Sequence, residues 1–136
     1  GDQLAMVAQP SINNSSDDRL KFEEVPVDNG LELINQLQVE YYKKVYDMGD
    51  VPISDASNNK NWRYERGVIA QDVLKLSDWS YIVQEPIGHD DSYSVGYNDL
   101  FVTNISATQE LHKLVIAQKS RIDELESKVN YLLSKE

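Results

Sequence analysis

A small α+β domain followed by one long C-terminal helix is the fold this sequence predicts, and three observations carry the prediction. Before Asn98, short β-patterned segments alternate with short helical ones, punctuated by Pro, Gly, Asn and Asp. From about Asn98 to Glu136 the chain runs without Pro or Gly through good helix formers. Within that run apolar residues recur in steps of four and three, the spacing of a coiled-coil seam.

The 136 residues allow one domain with one modest core. A net charge of −10 argues against nucleic-acid or anionic-membrane partners, because both need basic patches. The absence of cysteine removes disulfides, thiolate metal sites and Cys nucleophiles together. No apolar run approaches a membrane span. The chain opens on Gly1, as a piece cut from a longer protein would.

The elements follow in order. Residues 1–15 are rich in turn formers and read as a linker, with a core domain over 16–97 and the long helix over 98–136. "LKFEEVPV" alternates loosely and predicts a strand ended by Pro26. "DNGLELINQLQ" places Leu31, Ile34 and Leu37 on one helical face, with Asp28 as N-cap. "VEYYKKVYD" reads as a strand. Met48 to Asn61 is a polar loop, and "WRYERGVIAQDVLKL" predicts a strand, a turn at Gly67 and a short helix. "DWSYIVQEP" and "SYSVGYNDL" add one or two strands.

In the long helix Leu111, Val115, Gln118, Ile122, Leu125, Val129 and Leu132 occupy successive d and a positions. A helix of this length spans on the order of 50 Å, more than so small a core covers. Its second half must therefore meet copies of itself or another chain. In the first half Leu100, Phe101, Ile105 and Leu111 widen the apolar face and suit packing on the chain's own domain. β-Branched residues at a with Leu at d favour two strands, and Gln118 at d sets register in a dimer or a trimer. Arg121 at g and Glu126 at e are placed to pair between neighbouring helices. The residues alone establish self-association and leave its order open.

Most catalytic chemistry is missing. His89 and His112 are far apart and read as solvated or structural, and no metal or cofactor is expected. The six glycines form no phosphate loop. The acidic pairs Glu23-Glu24 and Asp90-Asp91 point to opposite faces of a strand and supply charge. Trp62, Trp79 and the tyrosines read as core or interface aromatics, since few basic residues interleave with them. What remains is "SSDDRLK", where Ser16 precedes Lys21 by five residues. A Ser-Lys pair performs acyl chemistry without histidine when the lysine is desolvated enough to lose its proton. Five extended residues span about 17 Å, so Lys21 reaches Ser16 only if the chain turns back or if a neighbouring subunit supplies it.

From Ser16 onward the chain resembles the C-terminal intramolecular chaperone and auto-processing domain of phage tailspikes, endosialidases, neck appendages and tail fibres, also found in myelin regulatory factor. "SDDRLK" matches that family's Ser-Asp-x-Arg-x-Lys. "GLELINQLQVEYYK" is similar to the helix and strand that follow it. "RGVIAQDV" matches the Gly-hydrophobic-Ile-Ala-Gln-acid signature, and "YNDLFVTNISATQELHKLV" looks like the closing helix. Two departures are visible. Glu23 stands where many relatives carry Asn, and "RYERG" lacks the His that often precedes the signature.

The resemblance implies a folding template that trimerises at the end of a fibrous protein, through a trimeric coiled coil, and then cuts itself off. Carried over, Ser16 is the nucleophile, Lys21 the general base, and Ser15–Ser16 the scissile bond. Asp17 and Arg19 match motif positions and are assigned to positioning. The implied partners are two identical subunits and the fibrous part of the same polypeptide, with no nucleic acid and no membrane. The implied setting is the host cytoplasm during virion assembly, with release before the particle matures. The competing readings are a non-cleaving trimerisation clamp of the same fold and a permanent receptor-binding fibre tip.

Overall fold

The computed structural model describes residues 14–45, 61–88 and 92–136. The linker up to Asn13, the polar loop apart from Asn61, and His89, Asp90 and Asp91 lie outside the described residues.

The chain enters through a short 3-10 turn, Asp18–Leu20, and continues to Asn29 as an arm without regular secondary structure. The strand expected from "LKFEEVPV" does not form. Glu23 adopts φ 58°, which breaks the extended run, and Pro26 has no N–H to give a ladder. The arm's apolar residues are left open, with Phe22 84% and Val25 81% exposed.

Helix α1, Gly30–Asn35, follows. Its N-cap is Asn29 rather than Asp28, and the Asn29 side chain makes no capping bond. An open N–H of the first turn is satisfied from elsewhere: that of Leu31 donates to the Glu110 carboxylate at 3.0 Å. Gly30 is buried against the backbone of Ser106 and Ala107, where any β-carbon would overlap.

Strands β1, Glu40–Val45, and β2, Trp62–Gly67, pair antiparallel from Glu40↔Gly67 to Val45↔Trp62. Period-2 alternation sets Tyr41, Lys43, Trp62, Tyr64 and Arg66 on one face and Tyr42 and Glu65 on the other. Helix α2, Ala70–Leu74, leads to a 3-10 turn at Ser80–Ile82 and the short antiparallel strands β3, Val83–Gln84, and β4, Ser94–Val95.

The core gathers where these elements meet. Val73, Trp79 and Ile82 are buried, with Leu33, Leu37, Val68, Leu76, Val83, Val95 and Leu100 packed around them. The Trp79 indole N–H donates to the Leu33 carbonyl at 2.8 Å, so its burial leaves no orphan donor.

Helix α3, Tyr97–Ser134, is 38 residues long, which at 1.5 Å per residue is about 57 Å. Its domain-facing side is Leu100, Thr103, Ser106, Ala107 and Glu110. Phe101 and Ile105, expected on that side, are 66% and 58% exposed, and every residue from Leu111 onward is exposed. The apolar residues of the first half are therefore split among separate stripes. Small residues at the α1 crossing bring only one of them onto the domain.

Candidate functional site

The Asp18–Leu20 turn is closed by Leu20 N–H to the Asp17 carbonyl, 2.9 Å, and Lys21 N–H to the Asp18 carbonyl, 3.1 Å. Asp17 caps it by accepting the Arg19 N–H at 2.9 Å. The same carboxylate takes the Arg19 guanidinium in a fork, Nε at 3.0 Å and Nη2 at 2.7 Å. This contact holds the Asp17 carboxyl below its ordinary value and raises the Arg19 guanidinium further. Arg19 and Asp17 are both open to solvent, so the fork fixes geometry more than it adds stability.

The turn reverses the chain. As a result Lys21 Nζ lies 2.6 Å from Ser16 Oγ and donates to it within one chain. Of the two routes open in the sequence, this is the local one. The 3-10 turn, capped by Asp17, supplies the reversal that extended geometry lacked. Ser15, Ser16 and Lys21 are all exposed in the single chain.

The downstream anchor is on α3. Ser106 Oγ donates to the Val27 carbonyl at 2.8 Å, and Glu110 receives the Leu31 N–H, so one helix turn holds both the end of the arm and the start of α1. Neither Glu110, Ser106 nor Gly30 was identifiable as a partner from sequence, because each acts across a long stretch of chain, at a crossing that only the fold creates.

The residues read as a coiled-coil seam, Leu111, Val115, Gln118, Ile122, Leu125, Val129 and Leu132, all lie exposed on α3. Ile122, Leu125 and Val129 line a shallow groove with Glu126 and Asn130. Arg121 pairs within its own helix with Glu124 at 3.0 Å. On the β1–β2 hairpin the expectation that almost no basic residues interleave with aromatics is corrected. Lys43 Nζ lies 4.2 Å from the Trp62 ring centroid, and Arg66 lies 5.2 Å from that of Tyr41. Strand register brings them together, and the alternation Tyr-x-Lys and Trp-x-Tyr-x-Arg was the sequence signal for it. Behind that face Tyr42 donates to Glu65 at 2.7 Å, and the Val68 N–H donates to Tyr97 Oη at 3.0 Å. Burial, and then the bond to Glu65, raises the Tyr42 hydroxyl above its ordinary range. Among the described residues no group of three His, Cys, Asp or Glu is placed to hold a metal ion.

The family model for peptidase S74, chaperone of endosialidase, matches residues 16–84. The chain belongs to the chaperone of endosialidase family. The match begins at Ser16, includes Lys21 and the "GVIAQD" segment, and ends in β3 before α3 begins. No curated protein matches the chain. Membership of the chaperone of endosialidase family supports an intramolecular chaperone role and a peptidase-related, self-cleaving character.

Proposed function

We propose that this chain is the C-terminal folding template of a fibrous phage tail or appendage protein, acting as a homotrimer and then removing itself by a single cut at Ser15–Ser16. The observation that carries the reading is the 2.6 Å contact between Lys21 Nζ and Ser16 Oγ at the first residue of the family match.

Ser16 Oγ belongs to the residue that follows the Ser15 carbonyl, so proximity is covalent and only orientation must be supplied. Oγ attacks the Ser15 carbonyl carbon as its proton passes to a neutral Lys21 amine. The Ser15–Ser16 C–N bond breaks, and Lys21 returns the proton to the departing Ser16 amine. The Ser15 acyl group is then an ester on Oγ. Water hydrolyses it, leaving a carboxylate on Ser15 and Ser16 as a new N-terminus. Asp17 and Arg19 hold the turn in which this occurs.

Templating follows from the long helix. Registration of intertwined β-chains is a non-local and slow step. A trimeric helical module raises the effective concentration of the three chain ends. Cutting afterwards removes a route for unzipping, a kinetic rather than thermodynamic gain. N-terminal sequencing of the C-terminal fragment from the full-length parent tests the cut, and a fragment beginning anywhere but Ser16 overturns it. The exposure of Ser16 and Lys21 in the single chain favours one second reading, a trimer clamp of the same fold that does not cut. An uncleaved intact mass for the freshly folded parent would select it.

A further inference from the structure

The heptad register of α3 does not begin at Leu111. Carried towards the N-terminus it places Thr108 and Phe101 at a and Asn104 at d. At about 100° per residue, this part of the seam is centred roughly 100° around the helix from the domain-facing side, Leu100, Thr103, Ala107 and Glu110. The helix can therefore carry its own domain on one side while its seam meets other helices along its whole length. A third stripe remains. Val102 at b and Ile105 at e lie on the far side of the seam, 55% and 58% exposed.

The position letters decide what faces this stripe. In parallel helices around a closed symmetry axis, e of one helix lies beside g of the next. The g positions here are Leu100 and Ala107, the residues on which each copy mounts its own domain through the core and through Gly30. We propose that the Val102–Ile105 flank is a subunit contact that receives the domain of the neighbouring copy; this rests on the trimeric reading above.

The arm ends on α3 next to this flank. Ser106, one turn after Val102, holds Val27 through its hydroxyl, so the arm leaves α3 beside the flank. A neighbouring domain seated on Val102 and Ile105 also covers Phe22 and Val25, which have no cover in the single chain. It thereby closes over the segment carrying Ser16 and Lys21, and exclusion of water there favours the neutral lysine that the cut requires.

The cysteine-free chain makes the test direct. Ile105→Cys, Phe22→Cys and, as an outward-facing control, Lys113→Cys are each labelled with a maleimide while sedimentation velocity monitors assembly. In the trimer, Ile105→Cys and Phe22→Cys label at least tenfold more slowly than Lys113→Cys. Adding Ile105→Lys to Phe22→Cys restores the fast rate while the trimer persists. Equal rates in an intact trimer, or protection of Phe22→Cys that survives Ile105→Lys, overturn this contact alone. A monomer at micromolar concentration overturns the trimeric reading and the contact with it.

Discussion

Gly30 lies against the Ala107 backbone so closely that a β-carbon would overlap both the Ala107 amide and Ser106. This crossing joins α1 to α3 and sets where the arm ends. Gly30→Ala must push the two helices apart, at a cost of about 1–3 kcal/mol. A lowered midpoint of thermal unfolding checks it, and an unchanged midpoint would show that the crossing relaxes freely.

Ser16→Ala and Lys21→Ala are each expected to abolish cleavage and leave the fold intact. Both side chains are exposed, and such substitutions change stability by only about 0.5 kcal/mol. Ser15→Ala keeps its carbonyl and should still be cut. Intact mass of the parent protein reads all three. Cleavage that survives Ser16→Ala but is lost in Ser15→Ala would place the nucleophile one residue earlier.

The reversal at residues 17–21 has its own acid limit. Arg19 lowers the Asp17 carboxyl from its ordinary 3.8. The capping contribution is therefore complete above pH 3.8 and is lost as pH falls through the lowered folded value. Following the Arg19 amide shift against pH by NMR should give a midpoint below that of a free aspartate. Asp17→Asn should remove the transition and slow any cleavage, since the fork on Arg19 goes with it.

A second titration lies at the start of α3. Tyr81 donates to Asp99 at 2.7 Å, and its hydroxyl is pushed up to about 12 by that bond and then by burial. A raised folded value means that this contribution is present below pH 10 and is lost as pH rises through about 12. In a phenolate-absorbance titration, Tyr81→Phe should remove one late-titrating tyrosine.

Asp in place of both Ile122 and Leu125 should dissociate the assembly, because charges at a and d cannot be buried unpaired. The domain should survive, as its core and its anchors on α3 draw on no residue beyond Glu110. The exposed helix from Leu111 onward has no packing in a single chain and should fray, lowering the helical circular dichroism signal. Retention of full helicity in a monomeric double variant would mean that the C-terminal half needs no partner.

The sequence by itself determined the elements governed by local pattern. The long helix could be read because an unbroken run of helix formers with four-and-three spacing needs no distant partner to declare itself. β1, β2 and α2 could be read from alternation, the Gly67 break and a short helical stretch. The Ser-Asp-x-Arg-x-Lys segment also announced its residues, and the family match begins at its first position. The tertiary structure decided what depends on direction. The turn at Asp18–Leu20 brings Lys21 to Ser16, although extended spacing would keep them about 17 Å apart. The "LKFEEVPV" strand was lost because alternation specifies a face but cannot supply a ladder partner, and Glu23 breaks the extended run. Phe101 and Ile105 turned outward because the α1 crossing at Gly30 and Ala107 selects which side of α3 the domain takes. A one-dimensional pattern records that a residue is apolar. Only the packed chain fixes which surface it meets.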